Sequence, residues 1–185
     1  MRNRTLIWAL SLIVLLGLVG CTDQEKTDTD VYLLTTVTND GMHYYVDIAT
    51  DLPTLISIDI TSYPKNPDAS LSNLQDVTLT RMVVNWKRAD GGTVTPDPFS
   101  ISIYHVVEAG QTTSIDNIPL MYPDQPSLPP FDQLFPWNGG LDPETLKPYV
   151  DCDAEITFYG RTANGKDITA KHTLSFVHFF YGGTK

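Results

Sequence analysis

From Val31 onward, apolar and polar residues alternate with a period of two, the pattern of β-strands that bury one face. Ile56, Ile58 and Ile60 share one face, opposite Ser57 and Asp59. The other sets that share a face are Tyr44, Val46 and Ile48; Val77 and Leu79; Met82, Val84 and Trp86; and, predicted to point inward, Ile168, Ala170, His172, Leu174 and Phe176. No long stripe of helical period follows, so the pattern predicts an all-β domain over residues 31–185.

Three glycine-containing segments predict where these strands turn. Asn39-Asp40-Gly41 separates the first two strands, Asp90-Gly91-Gly92 follows a strand, and Asn164-Gly165 separates the last two. Such pairs adopt positive φ at low cost, which tight hairpins require. We therefore expect hairpins at the first and last of these segments.

Two further features of the strand pattern refine the prediction. The buried parity changes near Thr80-Arg81, which a β-bulge would explain. The segment from Val177 to Tyr181 is apolar on both faces, so we expect a central or covered strand there.

About seven or eight short strands with turns between them suit a two-sheet sandwich with hairpin and Greek-key links. The last hairpin, from Ala154 to Val177, resembles the paired final strands of immunoglobulin-like and fibronectin type III-like domains. That resemblance implies an immunoglobulin-like sandwich. The chain departs from antibody-type domains because no cysteine precedes Trp86 within the domain.

A proline-rich insertion, residues 119–153, interrupts the strands with eight prolines. Asp142-Pro143-Glu144 carries an N-cap residue, a proline at the first helical position and an acid in the first turn, which favours a short helix through Leu146. The favoured interpretation is that the apolar residues of the insertion plug an open end of the sandwich or cover an exposed sheet edge. The alternatives are a surface for a partner or ligand and a mobile linker. The candidates for partner contact are Tyr122, Phe131, Phe135, Trp137 and Tyr149.

The amino-terminal segment has the layout of a secretory signal. Arg2 and Arg4 precede an apolar run from Leu6 to Val19, which is shorter than a membrane-spanning helix and contains Ser11. Leu18-Val19-Gly20-Cys21 resembles the lipobox of bacterial lipoproteins. The resemblance implies that residues 1–20 are removed, that Cys21 is lipidated, and that residues 21–30 form an acidic tether to a membrane.

In lipoproteins of diderm bacteria an aspartate after the cysteine favours the inner membrane, so Thr22 favours the outer one. The net charge is -10, and the part after Cys21 is more acidic still. This charge argues against nucleic acid as a partner, because its recognition needs cations that meet phosphates.

The remaining chemical signals are sparse. Asp151, Asp153 and Glu155 alternate and are candidate calcium ligands, although the segment lacks the glycine and full ligand set of a calcium loop, which favours a solvated acidic strand end. Cys152 stands between two of these acids, which argues for an unreactive structural thiol.

His43 and His105 are isolated, and His172 and His178 are too far apart along one strand to share an ion. No G-x-S-x-G, phosphate-binding or dinucleotide motif occurs, and we expect no cofactor and no enzyme activity. The sequence therefore indicates a non-catalytic lipoprotein that binds or assembles with another envelope or extracellular protein. A module for a small molecule, glycan or ion is the alternative, and a hydrolase is the outsider.

Overall fold

The computed structural model describes residues 28–37, 44–50 and 54–183 of the chain. This part contains two β-sheets and no helix longer than one short 3-10 turn. The strands are β1 (Val31–Val37), β2 (Tyr44–Asp47), β3 (Leu55–Pro64), β4 (Val77–Arg88), β5 (Phe99–Val107), β6 (Thr112–Pro119), β7 (Tyr149–Thr162) and β8 (Asp167–Phe180). The 3-10 turns span Asn73–Gln75, Gln125–Ser127, Phe131–Leu134 and Pro136–Asn138. The predicted all-β, two-sheet architecture is confirmed.

The first sheet has the order β1-β3-β6, and the second has the order β2-β8-β7-β4-β5. Neighbouring strands are antiparallel except β2 and β8, which are parallel. The alternating residues Ile56, Ile58 and Ile60 are buried as predicted, as are Val46 and Ile48. The two sheets pack these faces against each other because each sheet carries its buried apolar side chains on one side.

The predicted hairpin at Asn39-Asp40-Gly41 is wrong. The turn residues themselves lie outside the described residues, but β1 and β2, which flank them, belong to different sheets. β2 pairs instead with residues Val177 to Phe180 of β8. Those residues are apolar on both faces, so pairing with β2 covers a strand that would otherwise be an exposed edge. The predicted covered strand is thereby confirmed.

The hairpin at Asn164-Gly165 is confirmed. It joins β7 to β8, and Gly165 has a φ of 87°. The amide of Thr162 donates to the carbonyl of Lys166 at 2.9 Å and closes the turn. The Asp90-Gly91-Gly92 turn lies between β4 and β5, with Gly91 at a φ of 96°.

Bulges set which residues point inward. The bulge expected near Thr80-Arg81 is present, since the register of β4 shifts between Leu79 and Arg81 against both neighbouring strands. A second bulge, which we did not predict, lies opposite Asp153 in β8, and Phe176 there has a φ of 58°. Phe176 is consequently 52% exposed, which contradicts its predicted inward position. Beyond the bulge the buried residues are Val177 and Phe179.

Two predicted boundaries also differ from expectation: the start of the domain and the end of the insertion. Thr29, assigned to the tether, is 4% exposed, and the carbonyl of Asp30 accepts a hydrogen bond from the amide of Lys65 at 2.9 Å. Both residues therefore pack on the domain. The insertion ends before Tyr149, where β7 begins, and the predicted helix after Asp142 is one hydrogen-bonded turn that Leu146 ends at a φ of 58°.

None of the helices in the described ranges has the length and apolar character that crossing a membrane requires.

Candidate binding surface at the aromatic end of the sandwich

The insertion plugs one end of the sandwich with Phe131 and Leu134. Both residues are 1% exposed, and the ring of Phe131 lies 4.5 Å from that of Phe179 in β8. Phe179 in turn contacts the ring of Trp86 edge-on at 5.3 Å. Phe131 was a candidate for partner contact, but its short 3-10 turn directs it into the core and removes it from the surface.

Tyr122 covers part of the free edge of the second sheet. Its ring lies 4.8 Å from that of Phe99 in β5, and its hydroxyl donates to the carbonyl of Ser100 at 3.1 Å. The side chain of Gln125 fixes this segment, because its amide donates to the carbonyl of Asp97 at 2.8 Å. Tyr122 thus occupies an acceptor that another strand would otherwise use.

A buried ion-pair network ties the end of the insertion to β4. The guanidinium of Arg88 donates to both carboxylate oxygens of Asp90, at 2.8 and 2.9 Å, and to Asp142 at 2.9 Å. The side chains of Arg88 and Asp90 are 2% and 0% exposed. Glu144 lies 3.8 Å from the same guanidinium and accepts hydrogen bonds from Thr93 and from the amide of Val94.

Burial disfavours the charged forms of Arg88 and Asp90, but their hydrogen bonds and ion pairs favour these forms more strongly. Burial alone would raise the pKa of Asp90, but hydrogen bonds from Arg88 and from the amides of Asp151 and Gly92 hold that pKa below its ordinary value. For the cation Arg88 the directions are reversed. Burial alone would lower its pKa, but its hydrogen bonds to Asp90 and Asp142 raise the pKa above its ordinary value. Sequence analysis missed this network, because nothing in the spacing links Arg88 to a carboxylate in a distant loop.

With the insertion held in this way, three rings meet at the surface. Trp137 is 72% exposed and stacks on Phe135, with the ring centres 4.8 Å apart. Tyr181, which follows β8, packs edge-on against both rings, at 5.5 Å from Phe135 and 6.1 Å from Trp137.

A second group of rings lies on the outer face of the second sheet. His178 lies 4.5 Å from Tyr149, 5.4 Å from Tyr45 and 5.9 Å from Phe180, measured between ring centres. Its Nδ1 is 2.6 Å from Oδ1 of Asp151. Phe180 precedes Tyr181 directly, so the two groups meet along the chain at the end of β8, although successive strand residues point to opposite faces. We call them together the aromatic end; its residues are Tyr45, Phe135, Trp137, Tyr149, His178, Phe180 and Tyr181.

The structure therefore divides the five predicted contact residues. Phe135, Trp137 and Tyr149 belong to the aromatic end, whereas Phe131 is core and Tyr122 covers a sheet edge. Sequence analysis missed Tyr45 and His178, whose place depends on the parallel pairing of β2 with β8.

The candidate calcium ligands are engaged in other contacts. Asp151 pairs with His178, and Oδ1 of Asp153 accepts a hydrogen bond from the amide of Phe176 at 3.1 Å. Glu155 is exposed. Across the described residues, no group of three or more histidine, cysteine or acidic side chains is arranged to hold a metal ion.

Cys152 faces the core and is 0% exposed. Burial raises the pKa of its thiol to about 12, and the neighbouring acids Asp90, Asp151 and Asp153 add to that effect. The thiolate, which is the reactive form, is therefore scarce at neutral pH. His178 and Asp151 form a pair of the kind used in general base catalysis, and the hydroxyl-bearing rings next to His178 are those of Tyr45 and Tyr149.

Comparison with known proteins adds little. No family model and no curated protein matches the sequence. Among solved structures, the chain is similar to one described as "X-ray structure of Northeast Structural Genomics Consortium target SoR45", at 12% identity over 84% of this chain and 88% of that chain, with a TM-score of 0.32. A likeness of that extent carries no argument about function.

Proposed function

We propose that this chain is a lipid-anchored, non-catalytic binding module of the cell envelope, and that its aromatic end contacts another envelope or extracellular protein. Cys21 carries the lipid in this proposal, and the acidic residues that follow it give the domain reach. Thr22 favours the outer membrane if the source is diderm. The net charge of -10 leaves adhesion to the membrane to the lipid.

The exposure of Trp137 is the observation that carries the proposal. A tryptophan that is 72% exposed leaves a large apolar area in water, and here Phe135 and Tyr181 hold its ring in place. Ordering such a ring before binding lowers the entropy cost of association. Tryptophan and tyrosine are also the residues that most often dominate the energy of protein interfaces.

We also propose that the sandwich is immunoglobulin-like. Its support is the strand order: β1, β3 and β6 correspond to strands A, B and E, and β8, β7 and β4 to strands G, F and C. Trp86 lies buried on β4, the position of the core tryptophan of strand C, and Phe179 takes the place beside it. In such domains, binding residues lie in loops at one end of the sandwich, as the insertion does here.

Site-directed photo-cross-linking in cells tests the contact surface. A photoreactive amino acid at Trp137 should cross-link a specific protein, whereas the same group at Tyr104, which is 75% exposed on β5, should not. Equal products from both positions, or none from Trp137, would refute the proposed surface. Loss of cross-linking together with a rise in melting temperature on adding a small ligand would favour the ligand-binding alternative.

The anchor has its own test. Cys21→Ala should move the protein from the membrane fraction to the soluble fraction, because one missing thiol removes all lipid attachment. Thr22→Asp is the matched variant, since it keeps the lipid and in a diderm host should shift the protein to the inner membrane. A Cys21→Ala protein that stays on membranes would refute the lipid anchor.

A further inference from the structure

A groove of about 560 Å³ lies on the outer face of the second sheet, beside the β7–β8 hairpin. Arg81, Tyr159 and Arg161 line it together with Thr80, Gly160 and Asp167. Tyr149 at the aromatic end and Arg161 in the groove occupy opposite ends of β7, which at the usual rise per residue places them roughly 40 Å apart. The groove is therefore a second, separate site.

The β4 bulge and a glycine shape this groove. The bulge between Leu79 and Arg81 bends β4 at the point where Arg81 pairs with Tyr159. The next residue in β7 is Gly160, where a Cβ would lie 2.6 Å from the carbonyl oxygen of Thr78. Only glycine permits this close approach of the two strands, so the local sequence is fitted to the bulge.

Arg81 is held in place without being neutralised. Its guanidinium carbon lies 4.3 Å from the centre of the Tyr159 ring, which fixes the plane of the guanidinium by cation-π contact. None of the described carboxylates forms an ion pair with it. By contrast, Nε of Arg161 pairs with Oδ1 of Asp167 at 2.8 Å.

The placement of these arginines is unusual for so acidic a chain. Of the three arginines in the described ranges, Arg88 forms ion pairs with buried acids, and the other two line this groove. An oriented guanidinium presents a planar fork of donors that matches carboxylate and phosphate oxygens. The volume of the groove lies within the range of small-molecule sites.

We propose that this groove binds a small molecule of about the size of a sugar through a carboxylate or phosphate group, which Arg81 holds. Arg161 contributes a second cation when the ligand competes with Asp167. Thr80, which lines the same groove, carries a hydroxyl that can meet the uncharged polar groups of the ligand.

Titration by two-dimensional NMR on the full domain tests this site with three matched probes: glucose, glucuronate and glucose 1-phosphate. The amide signals of Gly160 and Arg81 should shift and saturate with an anionic probe, at a Kd of about 1 mM or tighter, and should not shift with glucose. The stronger of the two anionic probes identifies the preferred oxyanion. Shifts of equal size with glucose, or no saturation with either anion, would overturn the proposal.

Three variants assign the interaction to Arg81. Arg81→Met should weaken binding of the anionic probe about tenfold or more, the loss expected for one charged hydrogen-bonded partner. Lys87→Met removes a cation from the same strand outside the groove and should leave Kd unchanged. Asp167→Asn should tighten binding, because it frees Arg161 from its carboxylate. Equal effects of Arg81→Met and Lys87→Met would mean that only net charge matters and would refute the site.

Discussion

Arg88→Met tests the claim that buried charges, and not only apolar packing, hold the insertion on the sandwich. The substitution keeps a side chain of similar length but leaves the carboxylates of Asp90 and Asp142 buried without a cation. Both carboxylates are almost fully removed from water, since the side chain of Asp90 is 0% exposed and that of Asp142 is 1% exposed. Water therefore cannot replace the lost partner.

The expected loss of stability is large. Removing one partner of a buried ion pair costs about 3–5 kcal/mol, because the remaining charge stays buried and unpaired. A domain of this class is stable by about 5–15 kcal/mol in total, so the loss is a substantial fraction. In urea, a slope of about 2 kcal/mol per molar converts that loss into a midpoint lower by roughly 2 M.

Arg161→Met is the matched control. Arg161 and Asp167 have the same Nε to Oδ1 distance as Arg88 and Asp90, 2.8 Å, but their side chains are 63% and 80% exposed. Exposed pairs contribute about 0–1 kcal/mol, so the urea midpoint of this variant should barely move. Equal midpoints for the two variants would refute the argument that burial decides the strength of the pair.

The pH dependence gives an independent check. In the natural protein the pKa of Asp90 is lowered, so its contribution is complete above the unfolded value of about 3.9 and is lost only as pH falls through the lower folded value. Without Arg88, only the amides of Asp151 and Gly92 oppose the effect of burial, so we expect the pKa of the same carboxyl to rise above its unfolded value and the folded variant to gain stability as it takes up a proton. The stability gap between the two proteins should therefore narrow from pH 7 to pH 4. A constant gap would contradict the assigned cause.

Other expectations follow from burial. Phe131→Ala should cost about 3–5 kcal/mol in urea unfolding, whereas Trp137→Ala should change stability by less than about 0.5 kcal/mol; similar losses would argue against separate core and surface roles. Because burial raises its pKa to about 12, Cys152 should resist alkylation at pH 8 until urea unfolds the domain, and rapid labelling of the native protein would contradict this. Gly160→Ala should cost more than about 1 kcal/mol, measured by the melting temperature, since its Cβ would meet the carbonyl of Thr78; an unchanged melting temperature would refute the close approach.

The sequence predicted what depends on local periodicity. Ile56, Ile58 and Ile60 alternate inward because the extra residue of the β3–β6 register shift lies in β6, and the shift of parity at Thr80-Arg81 located a true bulge. It could not locate the bulge at Phe176, because the segment that follows, from Val177 to Tyr181, is apolar on both faces and shows no change of parity. A parity break is visible only where one face is polar.

Long-range pairing was beyond the reach of the pattern. A turn signal at Asn39-Asp40-Gly41 describes the local backbone, but the partner of β2 is chosen by the apolar end of β8, more than a hundred residues later. Separation in sequence also hid Arg88 from Asp142, 54 residues away, and Tyr45 from His178.

Contacts that the sequence pattern did not reveal explain how the insertion can hold an exposed aromatic surface in place. A long proline-rich segment has few backbone partners, so it needs anchors to stay ordered. Phe131 anchors it through the core, and Asp142 anchors it through Arg88. Between these two anchors lies Trp137, exposed yet held by stacking. Arg88→Met should therefore weaken partner binding even though Arg88 does not contact Trp137, because the substitution frees one end of the segment that presents the ring.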